Sequence, residues 1–198
     1  MLYIFDMGGV VTTTAVIVPC MCELLQISQQ QFSDFCKNED GSDLVSQLSD
    51  GVITAKQFWN IFSERSGKKV TVDWWHYLFH PVLNEGTVRI IKTLKQKGFR
   101  VVCGTNTIEG HYANHMERGD YLYFDQTYAS FMMGVSKPDP EFWNIILSAE
   151  QVSAEDAVFI DDRKENCEAA AKLGIRAIQF LDWKQVASDL GLPELVNE

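Results

Sequence analysis

Leu2-Tyr3-Ile4-Phe5-Asp6-Met7-Gly8-Gly9 is the stretch from which the fold is read. Four apolar residues in a row predict a short strand buried on both faces, and the glycines behind them permit a tight turn. Asp6 then stands on the carboxyl lip of a strand, where a carboxylate can attack phosphorus or bind a metal. Alone, such an Asp would do no more than cap a turn. Three distant stretches give it company. Thr105-Asn106 closes a second apolar strand, Lys137-Pro138-Asp139-Pro140 opens a helix, and Asp161-Asp162 ends another apolar run. Ligands of open α/β sheets bind outside the carboxyl ends of the strands, so polar stations in this order predict one site.

After residue 86 helix and strand patterns alternate. Val88, Ile90, Ile91 and Leu94 give one helix its apolar face, and Gly98 stands where a helix-stopping glycine belongs. Arg100 to Cys103 reads as a buried strand, 108–118 as a helix, and Tyr123 to Ala129 as a strand of mixed polarity. Pro140 suits a first helical turn, continued by Phe142, Ile145, Ile146 and Ala149. Ala157 to Ile160 is a strand, 164–173 a helix stopped by Gly174, and Ile175 to Phe180 a further strand. This alternation predicts an α/β fold with a Rossmann-like, doubly wound parallel sheet.

Residues 14–82 break the pattern. Ser28-x-x-Gln31 and Thr54-x-x-Gln57 match the capping box that starts a helix, and Phe58, Trp59, Ile61 and Phe62 form an apolar patch. No strand pattern interrupts them. The segment reads as a small helical cap inserted after the first strand, with 1–13 and 83–198 as the core. Trp74, Trp75 and Tyr77 are assigned to packing between cap and core.

A chain of 198 residues that is 46% apolar can bury one core and a small lobe. A net charge of −10 and a pI near 4.8 argue against a nucleic-acid or anionic-membrane surface. No apolar run reaches the roughly 18 residues of a membrane span. The apolar start lacks a basic flank and is broken by Asp6, so it does not read as a signal peptide. Five cysteines, an odd number, predict free thiols in a reducing, cytoplasmic location. Cys20-Met21-Cys22 lacks the second pair of a zinc site, and Cys103 reads as core. His76 with His80, and His111 with His115, share a four-residue spacing; without a third ligand they read as packing histidines. Nothing in the sequence specifies an oligomeric state.

A carboxylate nucleophile can accept a phosphoryl group and split its hydrolysis into two steps. Two anions repel, so the reaction needs positive charge. Mg²⁺ on hard oxygen ligands would supply it, and Asp6 with Asp162 can provide those oxygens. Lys137 adds a point charge, and Thr105 a hydroxyl, for the transferring oxygens.

Phe5-Asp6-Met7-Gly8-Gly9-Val10, Gly104-Thr105-Asn106, Ser136-Lys137-Pro138-Asp139-Pro140 and Ile160-Asp161-Asp162-x-x-x-Asn166 resemble motifs I to IV of the haloacid dehalogenase superfamily. The resemblance covers essentially the whole chain, and 14–82 is similar to a small C1-type cap. Within the superfamily the chain most resembles a bacterial branch typified by a glucose 1-phosphate phosphatase. It is similar, more distantly, to the N-terminal phosphatase domain of soluble epoxide hydrolases. The resemblance implies an Mg²⁺-dependent phosphatase acting on a small phosphorylated metabolite, by preference a sugar phosphate. It implies Asp6 as the nucleophile, with the Gly8 carbonyl, Asp162 and water completing the metal shell. Thr105, Asn106 and Lys137 would bind phosphate, and Asp161 and Asn166 would hold metal-bound waters or orient Lys137.

One position departs from the pattern. Most phosphatases of the superfamily carry a second Asp two residues after the nucleophile, as general acid and base; here Gly8 stands there. A glycine keeps the carbonyl but cannot shuttle a proton, a loss of ~10²–10⁴-fold that hurts least with good leaving groups such as anomeric or acyl phosphates. The sugar-phosphate branch shows glycine at this position too. Glu109 or His111 is the expected replacement. Two rival readings share the nucleophile. The 2-haloacid dehalogenases lack the second Asp and need no metal, which the Asp161-Asp162-x-x-x-Asn166 cluster argues against. A non-catalytic protein binding phosphorylated ligands would keep the cradle without turnover.

Overall fold

Five short strands are laid side by side in a computed structural model that describes residues 1–13 and 16–195. They are β1 (Leu2–Phe5), β2 (Arg100–Thr105), β3 (Gln126–Ala129), β4 (Ala157–Asp161) and β5 (Arg176–Gln179). All pairings are parallel and the order is β3-β2-β1-β4-β5, which puts the first strand in the middle. Phe5 lies level with Cys103 and with Ile160, and the Asp6 N–H donates to Ile160 O at 2.9 Å. Asp6, Thr105 and Asp161 therefore leave the sheet at one edge.

Alternation along the strands sorts the core onto two faces. Tyr3, Phe5, Val101, Cys103, Val158 and Ile160 face the helices α6 (Glu85–Gln96) and α11 (Trp183–Asp189). Leu2, Ile4, Val102, Ala157 and Phe159 face α9 (Pro140–Glu150) and α10 (Lys164–Lys172). Helices on both faces of a parallel sheet make the α/β, Rossmann-like fold that the alternation predicts. The β3 expectation needs trimming. Gly119, at φ +74°, ends α7 (Glu109–Arg118), and Asp120–Tyr123 then forms a 3₁₀ turn that buries Tyr121 in the core. The Asp125 carboxylate accepts the Val101 N–H at 2.9 Å, so ladder pairing starts only at Gln126.

Among the described residues, five helices lie between β1 and α6: α1 (Val18–Leu25), α2 (Gln29–Cys36), α3 (Leu44–Ser49), α4 (Ala55–Ser66) and α5 (Trp74–Tyr77). Residue 14, where the sequence reading starts the cap, lies outside the described residues. Both capping boxes form, at Ser28 with Gln31 and at Thr54 with Gln57. The helices share their own apolar cluster, including Met21, Phe32, Leu48, Phe58, Phe62 and Trp75, and Ile108 from the core joins it. Trp75 meets His111 of α7 edge-on. Tyr77 does not pack between the two parts: it is 65% exposed, because a four-residue helix buries one side and Trp75 takes it.

Two seams hold these helices against the core. At the first, α5 lies on the start of α7: the His76 Nδ1 donates to Gly110 O at 3.0 Å, and a Cβ at Gly110 would come within 2.9 Å of the His76 nitrogen. At the second, the turn after α3 meets α8 (Ser130–Met133). Gly51, at φ +68°, sits so close that a Cβ would fall 2.0 Å from Phe131 O. Ser136 donates a short hydrogen bond to the Asp50 carboxylate beside it. All five cysteines are free thiols, and among the described residues no helix is long and apolar enough to cross a membrane.

Candidate active site

Four loops at the carboxyl edge of the sheet converge on Lys137. Its ammonium lies 2.8 Å from Asp6 Oδ1 and 2.7 Å from Asp161 Oδ2, and it donates to Gly104 O at 2.9 Å. The side chain is 1% exposed and its head rests over the rings of Phe142 and Phe159. Such a cation has one stable place, between the two carboxylates. Burial works against the Lys137 charge, yet Asp6 and Asp161 outweigh it and hold its pKa above the usual lysine value. Burial is also the largest influence on Asp6, raising its pKa from 3.8 to about 6 against the pull of Lys137.

Asp161 is fully engaged. Its Oδ1 accepts from the Arg163 N–H at 2.8 Å and from Asn166 Nδ2 at 3.0 Å, and its Oδ2 accepts from Asn166 at 3.1 Å besides Lys137. Both oxygens are spent on positioning, so Asp161 and Asn166 orient Lys137. Asp162, on the next residue, is half-buried, and burial followed by the charge of Asp161 raises its pKa. Gly9 makes room for it: at φ +83° a Cβ there would come within 2.5 Å of Asp162 Oδ2. Asp6, Asp161 and Asp162 bring carboxylate oxygens within 4.8 Å of one another. Three carboxylates against one ammonium leave two negative charges uncompensated, and hard oxygen donors in that balance suit a divalent cation.

Of the expected phosphate binders, Lys137 and Thr105 stand at the site, Thr105 3% exposed at the end of β2. Asn106 does something else. Its Nδ2 donates to Lys137 O at 2.9 Å and its Oδ1 accepts the Lys137 N–H at 2.8 Å, so its amide is used on the Lys137 main chain. The peptide bond between Lys137 and Pro138 is cis. Gly8 is exposed, with free space around a virtual Cβ.

His111 does not fit the role of replacement acid. It stacks on Phe79 with ring centroids 4.0 Å apart, and burial pulls its pKa down to about 3, leaving it neutral. The Glu109 carboxylate accepts the Ala55 N–H at the start of α4 at 3.5 Å, tying α4 to α7. His115 Nδ1 lies 2.8 Å from Asp120, and among the described residues the only group of three or more carboxylates, thiols or imidazoles drawn within 4.8 Å of one another is the aspartate trio. Sequence reasoning missed Ser130, which is completely buried and touches both Thr107 and Ser49. A serine after a strand carries no local signal of that kind.

Comparison with known proteins places this geometry. A sequence model of haloacid dehalogenase-like hydrolases matches residues 1–174. The chain is 27% identical to a sesquiterpene phosphatase of Aspergillus oryzae, over 98% of this chain and 95% of that one. A D-ribitol-5-phosphate phosphatase of Bacteroides thetaiotaomicron is 24% identical over 72% of this chain and 75% of its own. A solved HAD family enzyme from Bacteroides thetaiotaomicron, in complex with magnesium and inorganic phosphate, matches with a TM-score of 0.77 at 24% identity. That match covers 93% of this chain and 98% of the other, and shows a common fold.

Proposed function

The chain belongs to the haloacid dehalogenase-like hydrolases, and on that premise we propose that it is an Mg²⁺-dependent phosphatase of small phosphorylated metabolites, with Asp6 as the nucleophile. The observation that carries the reading is the buried Asp6–Lys137–Asp161 arrangement with Asp162 beside it. Asp6, Asp162 and the Gly8 carbonyl would hold Mg²⁺, which when bound offsets the charge of the phosphate. Lys137 and Thr105 bind the transferring oxygens. Asn106, Asp161 and Asn166 keep Lys137 in place.

An Asp6 oxygen forms a bond to phosphorus as the bond to the leaving oxygen breaks. That oxygen takes its proton from solvent, since Gly8 offers none. Water then attacks phosphorus, its proton passes to solvent, and Asp6 and phosphate are released. Losing the acid favours substrates whose leaving group needs little help, and a sugar phosphate esterified at the anomeric carbon meets that condition. The curated relative matched over 98% of this chain is a sesquiterpene phosphatase, which supports a second reading, an apolar alcohol phosphate. The five free cysteines accord with a cytoplasmic location.

An Mg²⁺-dependent screen over sugar, sugar-alcohol, nucleotide and isoprenoid monophosphates tests the proposal, with Asp6→Asn as control. Release of phosphate by the wild type, lost at least about 10⁴-fold in the variant, is the expected result. Equal rates in both would sink the nucleophile. Halide release from 2-haloacids without Mg²⁺ would transfer the reading to the dehalogenases.

A further inference from the structure

Ser130 is 0% exposed, and its hydroxyl lies where three segments meet. Its Oγ accepts the Thr107 N–H at 3.0 Å. Two carbonyls stand within donating range, Ser49 O in the cap at 2.7 Å and Thr107 O in the core at 3.1 Å. A weaker contact reaches Ser49 Oγ at 3.4 Å. A hydroxyl has one proton to give, so it serves one carbonyl at a time. With the cap seated, the shorter bond to Ser49 takes the proton. With the cap lifted, Thr107 O takes it, and no buried donor is left unpaired. Thr107 lies two residues after Thr105, and the intervening Asn106 clamps the Lys137 main chain. One buried hydroxyl thus touches Ser49 and the loop that carries Thr105 and the Asn106 clamp on Lys137.

We propose that Ser130 is a positioning residue whose hydroxyl exchanges between a cap acceptor and a core acceptor, coupling the seating of the cap to the placement of Thr105. The catalytic consequence rests on the phosphatase reading; the coupling itself rests on the hydrogen bonds. The neighbouring Ser136–Asp50 bond joins cap and core without touching Thr107, so it supplies a comparison.

Ser130→Cys puts a somewhat larger thiol, a weak donor, in place of the hydroxyl, and Ser130→Ala removes it. With p-nitrophenyl phosphate and Mg²⁺, both variants are expected to lose about tenfold in kcat, the rate equivalent of one hydrogen bond. Asp50→Asn is expected to raise KM while kcat stays within about twofold. Full kcat in Ser130→Cys would reduce the role to packing and overturn the proposal, as would one pattern shared by Ser130→Ala and Asp50→Asn. Amide hydrogen exchange on the wild-type chain needs no turnover and no variant that folds. Adding Mg²⁺ and inorganic phosphate should protect residues 49–52 and 105–108 together; protection of either segment alone overturns the coupling. Coupled protection in a chain that hydrolyses no phosphate ester would refute the phosphatase reading and leave the Ser130 inference standing.

Discussion

At Gly8 the backbone leaves room for a side chain: a Cβ built there meets nothing within 4 Å. Gly8→Asp should therefore fold and place a proton donor two residues after Asp6, the proposed nucleophile. Turnover of alkyl phosphates should rise by up to about 10²-fold, with aryl phosphates nearly unchanged because their leaving groups need no proton. A leaving-group series on both proteins checks this. One residue away the opposite holds. Gly9→Ala meets Asp162 at 2.5 Å in a left-handed conformation, so it should cost about 1–2 kcal/mol of stability and also weaken Mg²⁺ activation. A magnesium titration of activity separates the two. Lys137→Met strands two buried carboxylates and should cost about 3–5 kcal/mol of stability in urea denaturation. The cost should be smaller at pH 5 than at pH 8, since a protonated Asp6 needs no partner.

Among the elements, the turn after α3 is tightly constrained where it meets α8. Gly51→Ala would drive a methyl group into Phe131 O and force an unfavourable φ. A loss of about 1–3 kcal/mol and a raised KM are expected, from denaturation and steady-state kinetics. The helices themselves were readable, because the Ser28 and Thr54 capping boxes and the apolar periods are local. β1, β2 and β4 were readable as short apolar runs. The strand read from Tyr123 started too early: Tyr123 closes the 3₁₀ turn that follows Gly119, and the ladder begins at Gln126. At the site, each polar station was visible where its strand or helix should end. The Asn106 clamp and the Ser130 junction were not, since they join residues 31 and 81 positions apart; that Asp161 orients Lys137 came only from the resemblance. His111 looked available because spacing says nothing of Phe79 stacked on it.

For the molecule as a whole, the site is a place where folding accepts electrostatic cost. Asp6 titrates near 6 in the folded chain against an ordinary 3.8. The folded state therefore holds a proton that the unfolded state has released between those values. In chelator, this group's contribution to stability is fully present below about pH 3.8 and is lost as pH rises through about 6. Melts between pH 4 and 8, compared with Asp6→Asn, should show that slope. Mg²⁺ at about 100 times its dissociation constant should restore about 2.7 kcal/mol, and less in Asp162→Asn at the same concentration. The sheet order carries a consequence of another kind. β1 is made first but needs β4, residues 157–161, to close its second side. A growing chain carries Asp6, the proposed nucleophile, beside an open sheet edge until residues 157–161 have been made. Lys137 and both other aspartates come late, so any activity signals that the core is complete. A ribosome-stalled or truncated chain should be silent, and its unpaired first strand should be the surface that chaperones hold.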